Sequence, residues 1–152
     1  MAAWWRDGRG FSAVELVITC AVIGVISAIA APSFASYWRS STVQAGAIEL
    51  MAALNRARQI AVARTTDVCV QRSGTDLVLR VGGCAGSVWV GFGTDSAGVV
   101  RLGHALQVTA GPDMVFTSLG GASTVGVYTV TNPLNGATRT VAVAASGRIS
   151  VQ

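Results

Sequence analysis

Lysine is missing altogether: the eleven basic residues of this 152-residue chain are all arginine. Histidine is nearly missing too, since His104 stands alone. The acids that share its half of the chain, Asp67, Asp76, Asp95 and Asp113, fall on separate predicted turns and strand ends, so no nucleophile, base and orienter come together and catalysis is not expected. Charge is scarce at 12%, about half the ~25% of average soluble chains, which implies a surface that expects neighbours. The net charge of +4 is mild and unclustered, short of the basic stripe that announces a nucleic-acid protein. Gly91-Phe92-Gly93 begins a dinucleotide-type glycine pattern but has Ser96 in the third glycine's place and opens no helix. Asp95-Ser96-Ala97-Gly98 offers one carboxylate where an all-oxygen cation site needs six to eight ligands, so it reads as an Asp opening a tight turn. Neither a metal nor any other cofactor is expected.

What the chain does have is one long apolar run, residues 11–31, closed by Pro32. As a helix these residues would reach about 32 Å, the thickness of a bilayer's hydrocarbon core. Arg6 and Arg9 precede the run and hold that end in the cytoplasm. Glu15 is out of place in it: a carboxylate in a lipid-soluble segment is costly without a partner and reads as functional. An ordinary signal peptide, cut near Ala28-Ile29-Ala30, would have a shorter apolar run and no acid at its start. A plain anchor explains the length but not Glu15.

A short basic leader ending in Gly10, then Phe11, then Glu15, then an unbroken apolar helix, resembles the type IV prepilin signature. The resemblance implies that a prepilin peptidase cuts between Gly10 and Phe11, that the new amino terminus at Phe11 is methylated, and that Glu15 pairs with a neighbouring subunit's terminus in a filament. It also implies that the helix loosens at Gly24 and Pro32 in the assembled fibre. The chain then divides into a leader (1–10), a membrane and filament-core helix (11–31), an amphipathic continuation (32–65) and a β head (66–152).

Pro32 is expected to bend the helix, and Ser40-Ser41-Thr42 to weaken it a second time. From Val43 the apolar spacing is helical again: Val43, Ala47, Leu50, Leu54, Ala57 and Ala61 form a stripe widened by Met51, which predicts packing on a sheet. Gln44, Glu49, Asn55, Arg56 and Gln59 fall on the other side, where Glu49 is expected to be a bystander. From Asp67 the period becomes two, with valine, threonine and frequent glycine, which predicts short antiparallel strands near 68–72, 77–81, 88–92, 99–102, 106–110, 114–117, 125–131, 138–144 and 149–151. Turns are predicted at Ser73-Gly74, Gly82-Gly83, 95–98, Gly120-Gly121, 132–136 and Ser146-Gly147.

The helix ending in Leu54-Asn55-Arg56-Ala57-Arg58 and Ala61, then Val68-Cys69-Val70, Cys84, Trp89-Val90-Gly91-Phe92, Asp95 and Gly147-Arg148-Ile149, is similar to the GspH/FimT minor pilins and pseudopilins. That likeness implies an α+β fold, a long amino-terminal membrane-spanning helix packed on a head of two antiparallel sheets. The implied function is that of a non-enzymatic subunit of a type IV pilus or of the pseudopilus of type II protein secretion. Such a subunit helps to prime or cap the filament, sits in the bacterial inner membrane with its head in the periplasm, and meets other major and minor pilins and an inner-membrane assembly platform. An oxidising compartment makes Cys69 and Cys84 a reasonable disulfide, the alternative being two free buried thiols, while Cys20 is expected to pack as a small apolar residue. Some FimT proteins act in DNA uptake through a carboxy-terminal Gly-Arg-x-Arg element. Here Gly147-Arg148-Ile149 is followed by Ser150, so the alternative function, DNA binding at a pilus tip, would rest on Arg148 with Arg139 and be weak.

Overall fold

The computed structural model describes residues 12–152, so the expected cleavage site, Gly10 and Phe11, lies outside the described residues. One helix, α1 (Ala13–Arg64), is followed by nine strands: β1 (Val68–Ser73), β2 (Asp76–Val81), β3 (Ser87–Val88), β4 (Val99–Val100), β5 (Gln107–Ala110), β6 (Met114–Phe116), β7 (Gly126–Thr131), β8 (Thr138–Val143) and β9 (Ile149–Val151). The chain falls into two compact units, Met1–Trp38 and Arg39–Gln152.

In the first unit α1 carries Pro32 in its interior and runs on past it. At the start of the second unit it runs through Ser40-Ser41-Thr42, so the expected second weak point does not interrupt the helix. The packing that follows at once explains this: Val43 is already buried, and tertiary contact overrides the modest propensity of serine and threonine.

In the second unit the predicted stripe is the buried face, with Val43, Ala47, Leu50, Leu54, Ala57 and Ala61 all at most 1% exposed. Ala53 joins it, and Gly46 leaves room for the Leu106 side chain, which a Cβ there would meet. The helix ends in a Schellman motif: Thr66 N–H donates to Ala61 C=O (3.1 Å) and Thr65 N–H to Val62 C=O (3.3 Å). Thr65 takes the left-handed position of that motif at φ 50°, where glycine is usual and a β-branched residue is strained.

Two antiparallel sheets receive the stripe. The first has the order β3-β2-β1-β6, with β4 also pairing β2, and the second the order β5-β7-β8-β9. The β1–β2 hairpin pairs Ser73 with Asp76 around a two-residue turn whose first residue, Gly74, has φ 65°. Val68, Val70, Leu77, Leu79, Met114 and Phe116 supply the core from the first sheet, and Val108, Tyr128, Val130, Val141 and Val143 from the second. Tyr128 is fully buried and donates its O–H to Pro112 C=O (2.8 Å). Burial, with the nearby Asp113 carboxylate adding to it, pushes the Tyr128 phenol well above its ordinary range.

The strand predicted over 88–92 is cut to Ser87–Val88. Trp89 makes one more sheet-like bond, its N–H donating to Leu79 C=O (2.8 Å), and then the chain folds into a turn at 91–94. There Thr94 N–H donates to Gly91 C=O (3.0 Å), Gly91 N–H donates to Thr94 Oγ1 (2.9 Å), and Gly93 has φ 85°. The aromatic rings instead meet arginines of the helix, with the Arg64 guanidinium 4.5 Å from the Trp89 ring centroid and that of Arg56 4.9 Å from Phe92. Cys69 and Cys84 are disulfide-bonded.

Candidate assembly helix and head surface

The amino-terminal end of α1 is built by Ser12. Its Oγ accepts the Val14 N–H (3.3 Å) and its carbonyl accepts the first helical bond, from Leu16 N–H (3.1 Å). Ser12 is therefore the N-cap, and Ser12-Ala13-Val14-Glu15 has the S-x-x-E spacing of a capping box, a signal present in the sequence that the prepilin resemblance overshadows. Glu15 lies in the first helical turn, where the helix dipole favours a negative charge. Its side chain is exposed, and among the described residues none pairs with its carboxylate. The first turn therefore accommodates the charge while leaving its oxygens available to a partner.

The residues that follow form a helix long and apolar enough to cross a membrane. Val14, Leu16, Val17, Ile18, Val22, Ile23, Val25, Ile26 and Ile29 are all more than half exposed, so no described part of the chain covers them. Gly24 has open space where a Cβ would stand, so no described neighbour requires a glycine there. Cys20 is a free thiol, exposed on the same bare surface.

On the head, the predicted turn at Asp95 is drawn tight by its own side chain. Its Oδ1 accepts the N–H groups of Val99 (2.9 Å) and Ala97 (2.8 Å), and its Oδ2 meets Arg101 (3.1 Å). The Val99 N–H draws the Asp95 carboxyl below its ordinary 3.8, desolvation opposes this, and the Ala97 N–H and Arg101 reinforce it. Among the described residues no three of His, Cys, Asp or Glu gather in a metal-holding group. His104 is exposed in the 103–106 turn, with φ 56° at His104 and 55° at Ala105. Glu49 Oε2 accepts the N–H of Gly103 in that same turn (2.8 Å), so Glu49 is not the bystander expected from its helical position.

Arg139 and Arg148 do not form one patch. The β8–β9 register pairs Val143 with Ile149, which sets Arg148 beside Ala144, whose N–H donates to the Arg148 carbonyl (2.9 Å). Arg139 lies five residues back along β8, at the far end of the pairing, about 17 Å away at the rise of a strand. The glycine of the closing element is required by the backbone. Gly147 sits at φ 75°, and a Cβ there would collide with the Gly120 carbonyl and press on Arg58. Arg58 is the residue that sequence reasoning missed. It reaches from α1 to donate its Nε–H to Gly120 C=O (2.7 Å), tying the helix to the turn after β6. Beside it lies a cleft of about 500 Å³ lined by Asn55, Arg58, Gln59, Val62 and Leu119, with Leu119 94% exposed.

Comparison with known proteins agrees with this architecture. The crystal structure of the Pseudomonas aeruginosa type IV minor pilin FimU superposes with a TM-score of 0.57 at 21% identity, over 76% of this chain and 92% of FimU. The minor pseudopilin EpsH of the Vibrio cholerae type 2 secretion system superposes with a TM-score of 0.54 at 13% identity, over 72% of this chain and 95% of EpsH. No curated protein sequence matches. The sequence profile of the family described as type II transport protein GspH matches residues 46–147, more than half of the chain and nearly all of the helix-backed head, so this protein belongs to the GspH family of minor pilins and pseudopilins.

Proposed function

We propose that the chain is a non-enzymatic filament subunit, stored in the inner membrane by residues 11–31 with its head in the periplasm, and drawn into a type IV pilus or a type II secretion pseudopilus. A prepilin peptidase cuts between Gly10 and Phe11, Phe11 is methylated, and Glu15 pairs with the free terminus of a neighbouring pilin as the assembly platform adds subunits. Gly24 and Pro32 let the helix loosen in the fibre, and the subunit primes or caps the filament with other minor pilins. The observation that carries this reading is Glu15: a carboxylate exposed in the first turn of the helix, ahead of a run to Ala31 with no other charge, and with no partner among the described residues.

The test is Glu15→Ala in cells that assemble the filament. Insertion and cleavage should persist, read as a mature amino terminus at Phe11, while incorporation into sheared filaments is lost. Removing one side of a buried charge pair costs about 3–5 kcal/mol, enough to abolish it. The control is Asp67→Ala, another exposed carboxylate with no side-chain partner among the described residues, since Glu49 is bonded to Gly103. Normal assembly of the Glu15 variant would refute the pairing role. The DNA-uptake alternative rested on Arg139 acting with Arg148, and two phosphate contacts at opposite ends of a strand pair support it poorly.

A further inference from the structure

Past Pro32 the character of α1 changes. Between Leu16 and Ala31 it carries no charge and is mostly aliphatic, whereas Phe34, Tyr37 and Trp38 recur at the three- and four-residue spacing of a single helix face. Ser33, Ser36 and Ser40 recur on another face, with the Ser36 hydroxyl bonded to the Ser33 carbonyl (2.9 Å). The aromatic residues are 63%, 70% and 65% exposed, and the rings of Phe34 and Trp38 stand 5.9 Å apart as a tilted pair. This exposed band is unlike the bare aliphatic surface before it. Two of its three members, tyrosine and tryptophan, combine an apolar ring with a polar handle, the chemistry of the membrane–water interface.

Its distance along the helix matches that chemistry. Residues 12–31 rise about 30 Å, one hydrocarbon thickness, so the band begins where the lipid headgroups of the far leaflet begin. Pro32 fits the same depth: it has no N–H to give the Ala28 carbonyl, and hydrated headgroups can supply the missing donor where the hydrocarbon core cannot. Tyr37 is 22 residues from Glu15, about 33 Å along the axis, so a band held among headgroups on one side leaves Glu15 at the boundary on the other.

We infer that Phe34, Tyr37 and Trp38 form a collar that docks in the headgroup layer of the far leaflet and fixes the depth of the stored subunit, keeping the Glu15 carboxylate out of the hydrocarbon. The inference rests on the proposed membrane storage. The collar is a lipid-facing surface, distinct from the pairing role of Glu15.

The experiment uses the full chain in vesicles of phosphatidylethanolamine and phosphatidylglycerol that carry nitroxides either near the headgroup or deep in the acyl chain. Trp38 is made the sole tryptophan by Trp4→Phe, Trp5→Phe and Trp89→Phe. A second reporter, a fluorophore on Tyr37→Cys in a Cys20→Ala background, leaves the head untouched, because Cys69 and Cys84 are bonded to each other. Shallow nitroxides should quench both reporters at least about twofold more than deep ones. Flotation with the vesicles is read in parallel. Protein that floats with reporters quenched most by the deep label, or by neither, overturns the collar while the storage reading stands. Quenching at both depths that fades as the protein-to-lipid ratio rises would mean that a second copy covers the band, and would also overturn it. Protein that does not float overturns both.

Discussion

Removing the disulfide should cost the head about 3 kcal/mol. Cys69 lies in β1 and Cys84 in the loop after β2, so the bond closes a loop of 15 residues, for which the chain-entropy model gives about 3 kcal/mol. That figure applies if the native geometry outlasts the bond, and the surroundings of Cys84 are held by other means. Gly82 and Gly83 both donate N–H to the Asp67 carbonyl (2.8 and 3.1 Å), Arg80 Nη1 donates to Gly86 C=O (3.0 Å), and β1 and β2 remain paired over six positions. The loss therefore falls on the unfolded chain, which gains conformations. Urea unfolding of residues 39–152 as wild type and as Cys69→Ala, Cys84→Ala measures it. A slope of about 1.5–2 kcal/mol/M implies a midpoint lowered by about 1.5–2 M, with the slope slightly steeper because a longer chain is exposed. Wild type under reducing conditions should unfold where the double variant does. A shift below about 1 kcal/mol would refute the reasoning, and would mean that the unfolded chain already keeps 69 and 84 close.

Thr65→Gly should stabilise the head by about 1 kcal/mol in the same assay, because glycine takes the left-handed position without the β-branched strain, and no gain would mean that the helix ends otherwise. Glu49→Ala should cost about 1 kcal/mol, the modest worth of an exposed charged acceptor, and should speed amide exchange at Gly103. The Asp95 carboxyl is held below 3.8 in the folded head, so its contribution is present above that pH and is lost as pH falls through the depressed value. Acid titration should thus release the 95–99 amides, and Asp95→Asn should remove that pH dependence. Tyr128→Phe should cost about 1 kcal/mol by leaving the Pro112 carbonyl unbonded, and in wild type the Tyr128 phenol should ionise only as the head unfolds in base.

Features that repeat locally were legible in the sequence. The helical stripe from Val43 to Ala61, most of the period-two strands and the glycine turns each follow from near neighbours, and the structure places them where that spacing points, while the strands at 88 and 99 are shorter than predicted. The two-sheet head and the cysteine pair were also anticipated. What escaped depends on residues far apart in the chain. Arg58 finds Gly120 across 62 positions and Glu49 finds Gly103 across 54, and no periodicity encodes either meeting. The separation of Arg139 from Arg148 was implicit in the predicted turn at Ser146-Gly147, which sets Arg148 beside the turn and Arg139 at the far end of its strand, and the β8–β9 register bears this out. Trp89 to Phe92 reads as strand by composition, but the chain closes a turn at 91–94 held by Thr94, and the Trp89 and Phe92 rings meet Arg64 and Arg56 rather than a neighbouring strand. The Ser12 N-cap, by contrast, is local and readable from the S-x-x-E spacing.

The buried core takes no described residue from before Val43. The free energy that folds the head is therefore indifferent to the medium around Ala13–Ala31, whether lipid tails, detergent or other helices. Exchanging one apolar surrounding for another changes the solvation of that segment and leaves the folding equilibrium of residues 39–152 where it was. A subunit built in this way can change its surroundings without passing through a partly unfolded head. The cost of such a move that the chain itself sets then lies in the helix and its charged first turn.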